Sequence, residues 1–242
     1  MINSKKIVRI EFHGKLKEFP GVRGDKSEFY YRFFGKHAVK DAIEALGVPH
    51  AEVGKILTNG EEAGFDYKIK HQDYVQVYPV NFKYSNISIP ETFILDVHLG
   101  TLCKYLRMMG FDTVYDNHFD DPEIIEIAKN ENRIILTRDI GILKNKQVKF
   151  GYWLRSQNSE LQLEEVLNHF NLKDKIRPFT RCIACNGTIK KVDKNEIIHR
   201  LKPLTKKYFT LFFQCCNCGK IFWEGSHFEN MKKIIDNNTP KA

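Results

Sequence analysis

Phe93-Ile94-Leu95-Asp96-Val97-His98-Leu99-Gly100 decides how the middle of this 242-residue chain is built. Three consecutive apolar residues suit a short strand buried on both faces, as in a parallel sheet, and the run stops at an acid. The period then changes. Leu99, Leu102, Cys103, Leu106 and Met109 make one helical stripe, with Lys104 and Arg107 off that face and Gly110 placed to stop the helix. The alternation continues with a strand at Thr113-Val114-Tyr115 and a helix that Asp121-Pro122-Glu123 opens. Arg133-Ile134-Ile135-Leu136-Thr137 is a third strand, ending at Arg138-Asp139, and Gly151-Tyr152-Trp153-Leu154 supplies a fourth. A helix carrying Leu163, Val166, Leu167 and Phe170 follows. Strands alternating with helices predict an α/β domain with a mainly parallel sheet over residues 92–175.

Upstream, Ile7 to Phe12 alternates with a period near two, and Phe29 to Phe34 is a second strand candidate. Val39, Ile43 and Leu46 fall on one helical face, with Gly47 as a stop. Ile56-Leu57-Thr58 enters a turn at Asn59-Gly60, and Tyr74 to Pro79 is the last strand. The order ββαββ over residues 1–80 resembles a ubiquitin-like β-grasp domain of the small sulfur-carrier type. Carriers of that type act through a free terminal Gly-Gly. Here Pro79-Val80 runs on into more protein, which argues against conjugation or sulfur delivery and leaves docking of a protein partner or guiding of a substrate as the open roles. Residues 81–91 read as a linker.

Downstream, Cys182-Ile183-Ala184-Cys185 and Cys215-Cys216-Asn217-Cys218 are two C-x2-C pairs. Each can aim two thiolates at one point, so Cys182, Cys185, Cys215 and Cys218 are the expected ligands of a closed, structural zinc site in a ribbon over residues 176–235. Cys216 breaks the spacing and is a bystander. Residues 236–242 read as a tail.

Net charge is +8 and is unevenly placed: residues 171–242 hold 15 Lys or Arg against 6 Asp or Glu. Zinc bound by four thiolates subtracts two charges, and the remaining excess favours a polyanion. Between the cysteine pairs, Lys190, Lys191, Lys194, Arg200, Lys202, Lys206 and Lys207 interleave with Tyr208, Phe209, Phe212 and Phe213. Lysines can neutralise phosphates and aromatic faces can stack single-stranded bases, while Phe212 and Phe213 equally suit the core of a small ribbon. No apolar run reaches membrane-spanning length and no signal-type segment opens the chain, so no membrane partner and a cytoplasmic, reducing location are expected.

Asp96 and Asp139 each follow an apolar strand directly, and Asp121 begins a helix after another strand, so all three can line the rim where parallel sheets bind ligands. Carboxylates crowded there repel, and a hard divalent cation, magnesium or manganese, relieves the conflict. Such an ion suits phosphodiester hydrolysis. Each acid has a plainer reading as a cap, Asp121 most of all because Pro122 follows it. Arg107 and Arg138 are candidate phosphate contacts, although Arg107 could be a solvated helix residue and Arg138 could orient Asp139.

The run from Phe93 to Gly100, Tyr105-Leu106-Arg107, Gly110-Phe111-Asp112-Thr113, Asp121 and Ile135 to Asp139 stand in order. Arg181-Cys182, Cys218-Gly219 and Trp223-Glu224-Gly225-Ser226-His227 follow them. Together these pieces resemble the mutator-seven C-terminal ribonuclease family, which is similar to PIN nucleases and carries a fused zinc ribbon. The resemblance implies a metal-dependent ribonuclease acting on single-stranded RNA, with Asp96, Asp121 and Asp139 as the metal-binding acids and Asp116 or Asp120 as a further contributor. The alternative is a catalytically silent RNA-binding adaptor in which the acids are caps.

Overall fold

The computed structural model of the protein describes residues 5–22, 27–82 and 88–239. Residues 83–87 of the expected linker, residues 240–242 of the expected tail and the side chain of His227 lie outside the described set. Two compact units result, one of Met1–Ile89 with Ile134–Trp153 and one of Pro90–Arg133 with Leu154–Ala242.

In the first unit, β1 (Lys6–Phe12), β2 (Glu28–Phe33), α1 (Val39–Ala45), β3 (Val53–Thr58), β4 (Glu61–Glu62) and β5 (Tyr74–Pro79) follow one another. The strands form one sheet in the order β2-β1-β5-β3-β4, with β1 and β5 parallel at its centre and β2 and β3 antiparallel beside them. This is the ubiquitin-like β-grasp arrangement. Val8, Ile10 and Phe12 turn one face of β1 inward, where Val39, Ala42 and Ile43 of α1 meet them in a common core. Period two on the strand and period 3.6 on the helix are satisfied by a single apolar layer.

The same unit holds β8 (Ile134–Thr137), α4 (Ile140–Leu143) and β9 (Gly151–Trp153). β8 and β9 pair in parallel, Ile135 against Gly151 and Thr137 against Trp153. Residues 134–153, read from sequence as part of the central domain, group with the N-terminal residues for an identifiable reason. The Trp153 indole stacks on Phe19 at 4.9 Å, and its backbone N–H donates to the buried Glu52 carboxylate at 2.6 Å. A carboxylate removed from water needs donors, and this amide is one of them.

In the second unit, β6 (Thr92–Leu95) and β7 (Asp112–Val114) pair in parallel across α2 (Gly100–Met108), followed by α3 (Asp121–Glu131) and, later, α5 (Ser159–His169). Leu99, Leu102, Cys103, Leu106 and Met109 are all buried, so the apolar stripe read from sequence is the packed face of α2. Asp121 does not cap α3. Asp120 does, accepting from Glu123 N at 2.9 Å while the Glu123 carboxylate accepts from Asp120 N, which moves Asp121 to the first helical position.

The ribbon of this unit is a three-stranded antiparallel sheet, β10 (Ile189–Val192), β11 (Phe212–Cys215) and β12 (Ile221–Phe222). Two short helices, α6 (Lys194–Ile197) and α7 (Pro203–Tyr208), are inserted between β10 and β11. The final helix α8 (Ser226–Asn238) takes in residues 236–238, so the expected tail begins as helix. Val192, Ile197, Leu201 and Phe212 form the ribbon's small core; Phe212 is a core residue.

Gly110 ends α2 at φ +97°, and a Cβ there would lie 2.2 Å from the Arg177 carbonyl oxygen. That carbonyl belongs to a segment hydrogen-bonded to the helix end, Arg177 N to Met109 O at 2.8 Å and Phe179 N to Met108 O at 3.0 Å. Gly110→Ala therefore adds a backbone clash to a disfavoured φ, and is expected to destabilise the protein by about 2–4 kcal/mol, read as a fall in thermal midpoint.

Candidate functional site

The two C-x2-C segments fold into knuckles for a local reason. After each pair the chain must turn back, and it does so through a left-handed residue, Asn186 at φ +66° and Gly219 at φ +69°. Asn186 N donates to Cys182 O at 2.9 Å and Gly219 N to Cys215 O at 3.1 Å, closing the two turns. The knuckles face one another: Sγ of Cys182 lies 3.8 Å from that of Cys218, and Sγ of Cys185 lies 3.4 Å from that of Cys215. All four sulfurs lie within 4.8 Å of one another. A zinc–sulfur bond of about 2.3 Å sets a tetrahedral edge of about 3.8 Å, so the donor set fits zinc after shifts of no more than about 1 Å. Cys216 stays outside the group, its amide donating to Thr188 O at 2.9 Å.

The thiols are unequally prepared for a metal. Burial pushes Cys182 up to about 12. Burial also opposes ionisation of Cys215, but the backbone N–H groups of Cys218 and Asn217 point at its sulfur and bring it down to about 6. The field of a bound cation would favour the thiolate forms of Cys182 and Cys185 against the burial that opposes them.

The ribbon is seated on β7 and α2 through polar contacts that periodicity does not reveal. Arg107, expected at a phosphate, is instead 6% exposed. Its Nε donates to Thr113 O at 2.9 Å, and its Nη1 donates to Ile183 O at 3.3 Å and Ala184 O at 3.1 Å, the two carbonyls inside the first knuckle. The side chain of Asn186 accepts from Thr113 N at 3.0 Å and donates to Asp112 at 2.8 Å. Asp112 also receives Arg133 at 2.6 Å and Arg181 at 3.1 Å. Burial alone would raise the Asp112 carboxyl, yet the Arg133 and Asn186 hydrogen bonds and the two guanidinium charges hold it below its ordinary value. These residues carried a faint signal in sequence, a Gly-Phe-Asp-Thr run and an Arg-Cys pair, without any indication that the two meet.

The acids lie as follows. Asp96 ends β6 and is 9% exposed; it precedes the 3-10 turn Val97–Leu99 without capping it by its side chain. Asp116 and Asp96 both act on the Tyr115 phenol, whose pKa is raised first by burial and then by the charges of Cys103, Asp116 and Asp96. The Tyr115 hydroxyl donates to Val97 O at 2.7 Å, and a Cβ on Gly100 would lie 2.9 Å from its oxygen, so glycine leaves room for the phenol over the start of α2. Asp121 is exposed at the start of α3. In the other unit, Asp139 is exposed and caps α4, its Oδ1 accepting from Gly141 N at 2.6 Å. Arg138 is exposed, and its carbonyl accepts from Trp153 Nε1 at 3.2 Å. Among the described residues, the four cysteines are the group of three or more His, Cys, Asp or Glu side chains close enough to share an ion.

The fold and the cysteine centre define a class: an α/β protein with a four-cysteine ribbon, preceded by a ubiquitin-like domain. Residues 91–235 match the model of the Mut7-C RNAse domain, and residues 5–85 match the Mut7-C ubiquitin model. The chain belongs to the Mut7-C RNAse domain family. Among solved structures, it is similar to a putative molybdopterin converting factor, subunit 1, from Pyrococcus furiosus, at 21% identity and a TM-score of 0.25 over 31% of this chain and 97% of that one. No curated protein matches it. Among the described residues, no helix is long and apolar enough to cross a membrane.

Two outcomes are expected. The purified protein should carry about one zinc per chain, and a strong chelator or acidification should release it, because protons compete for the thiolates; metal analysis and a thermal melt read both effects. Asp112→Ala should cost about 2–4 kcal/mol, since it leaves two guanidinium groups without their carboxylate. Because the folded-state pKa of Asp112 is depressed, its stabilisation is present above the usual carboxylate range. It should be lost as pH falls below about 4, seen as a steeper acid limb in wild type than in Asp112→Ala.

Proposed function

We propose that the protein is a metal-dependent ribonuclease that hydrolyses phosphodiester bonds of single-stranded RNA. The observation that supports it most is the family match over residues 91–235, which contains all three acids at issue, Asp96, Asp121 and Asp139, together with the cysteine centre. The donors fit a hard divalent ion, magnesium or manganese, in chemistry: all are carboxylates, and Asp96 is largely withdrawn from water.

In this reading Asp96, Asp121 and Asp139 are the ion-binding acids, with Asp116 or Asp120 as a further contributor, although among the described residues they do not form a preformed cluster. When bound, the ion would supply Lewis-acid polarisation of a phosphoryl oxygen and a more acidic water. The chain's own groups do the rest. Asp96 is held at a strand end by flanking buried residues, and the Asp139 Oδ1 bond to Gly141 N leaves Oδ2 to serve as ligand. Arg138, exposed beside Asp139, is the proposed phosphate contact, whereas Arg107 is a positioning residue for the ribbon. The four cysteines hold a structural zinc, the ribbon contributes to holding RNA, and the ubiquitin-like domain docks a protein partner.

The second reading, a catalytically silent RNA-binding adaptor, draws on one observation: Asp139 already has a complete structural use as the cap of α4. Labelled single-stranded RNA separates the two. The nuclease reading expects cleavage that needs magnesium or manganese and that falls at least about 100-fold in Asp96→Asn and Asp139→Asn, with zinc content unchanged. Cleavage persisting in the double variant sinks the acid assignment, and RNA retention without any turnover establishes the adaptor.

A further inference from the structure

The insertion between β10 and β11 carries a helix built inside out. α7 buries Thr205, while Leu204 and Tyr208, one helical turn apart on the same face, are 70% and 65% exposed. A globular helix ordinarily turns its apolar residues inward, so this face is not explained by the ribbon's own packing. Lys207 sits between the two exposed residues in sequence, and its Nζ lies 5.2 Å from the centre of the Tyr208 ring.

The surrounding charge is one-sided. Residues 189–211 contain seven Lys or Arg against Asp193 and Glu196. Two of the seven hold the insertion together: Lys194 Nζ donates to Lys206 O and Phe209 O, and Arg200 Nη2 donates to Gly219 O of the second knuckle at 2.8 Å. Lys190, Lys191, Lys202 and Lys207 are exposed. The second knuckle thus braces the insertion through Arg200, and the insertion presents a ring with a cation over it, an apolar neighbour and a set of exposed ammonium groups.

We infer that the α7 face is a stacking platform for single-stranded RNA: a base lies on Tyr208 against Leu204, and the flanking lysines take the adjoining phosphates. Charge complementarity chooses a polyanion, and the aromatic ring under a cation chooses one with unpaired planar bases, because a duplex keeps its base faces stacked. The inference deepens the RNA reading above and rests on it for the identity of the nucleic acid. It does not need the acids.

The test uses the full-length zinc-loaded protein carrying Asp96→Asn and Asp139→Asn, so that RNA survives, and fluorescence anisotropy with a 12-nucleotide oligouridylate. Tyr208→Ala should weaken binding about 5- to 100-fold and Tyr208→Phe by much less, with zinc content and melting temperature unchanged. Lys202→Ala with Lys207→Ala should lower the slope of log affinity against log salt by about 1.4. Unaltered affinity in Tyr208→Ala, equal affinity for a blunt RNA duplex, or Tyr208-dependent binding to phosphatidylserine vesicles in place of RNA would each overturn the platform. Failure of the platform with metal-dependent cleavage intact leaves the nuclease standing; a Tyr208-dependent interaction without cleavage in wild type leaves the platform and removes the nuclease.

Discussion

A carboxylate that cannot leave its partners governs the second unit. Asp112 opens β7 and collects Arg133 from the end of α3, Arg181 from the residue before the first zinc ligand, and the Asn186 amide from the turn after the second. Each partner comes from a different segment, so the ion cluster forms only when strand, helix and knuckle have all arrived. Desolvating these charges is costly, and the cost is offset only by complete pairing. Such a junction adds little to stability over an apolar equivalent, but it tolerates one arrangement, which is what a small ribbon with a four-residue core needs.

The four-cysteine centre bears on the same junction from the other side. Cys182 and Cys185 lie on a tight turn closed by Asn186 N on Cys182 O, and the Ile183 and Ala184 carbonyls lie inside that turn. Arg107 satisfies both from α2, the helix that follows Asp96. Metal centre, guanidinium and helix therefore form one continuous support, and the helix start is in turn fixed by Tyr115 on Gly100. The four-cysteine centre and the acidic strand end are parts of one mechanical system, although Cys182, Cys185, Cys215 and Cys218 are far from Asp96 in sequence.

Much of this was legible in the chain. Period two and period 3.6 located the β-grasp strands, α1, the stripe of α2 and the strand–helix alternation, because burial of one face is a local demand that leaves a local pattern. C-x2-C spacing named the four cysteines that come together, because a knuckle is only a few residues long and its donors must lie inside it. The boundaries were less legible. Asp120 took the cap assigned to Asp121 because a reciprocal box with Glu123 satisfies two amides where Asp121 would satisfy one.

Arg107 shows the limit most clearly. On the helical wheel it falls off the apolar face, where a cation is free to meet phosphate or water. In the fold the first cysteine knuckle covers that side of α2, and the guanidinium donates to the carbonyls of Thr113, Ile183 and Ala184. By itself the sequence determined which stretches pack, where the metal ligands sit and to which family pattern the acids conform, since each is written within a few residues. Only the tertiary structure decided what Arg107, Asp112, Asn186 and Tyr208 do, because their roles depend on which distant surface covers them and which leaves them in water.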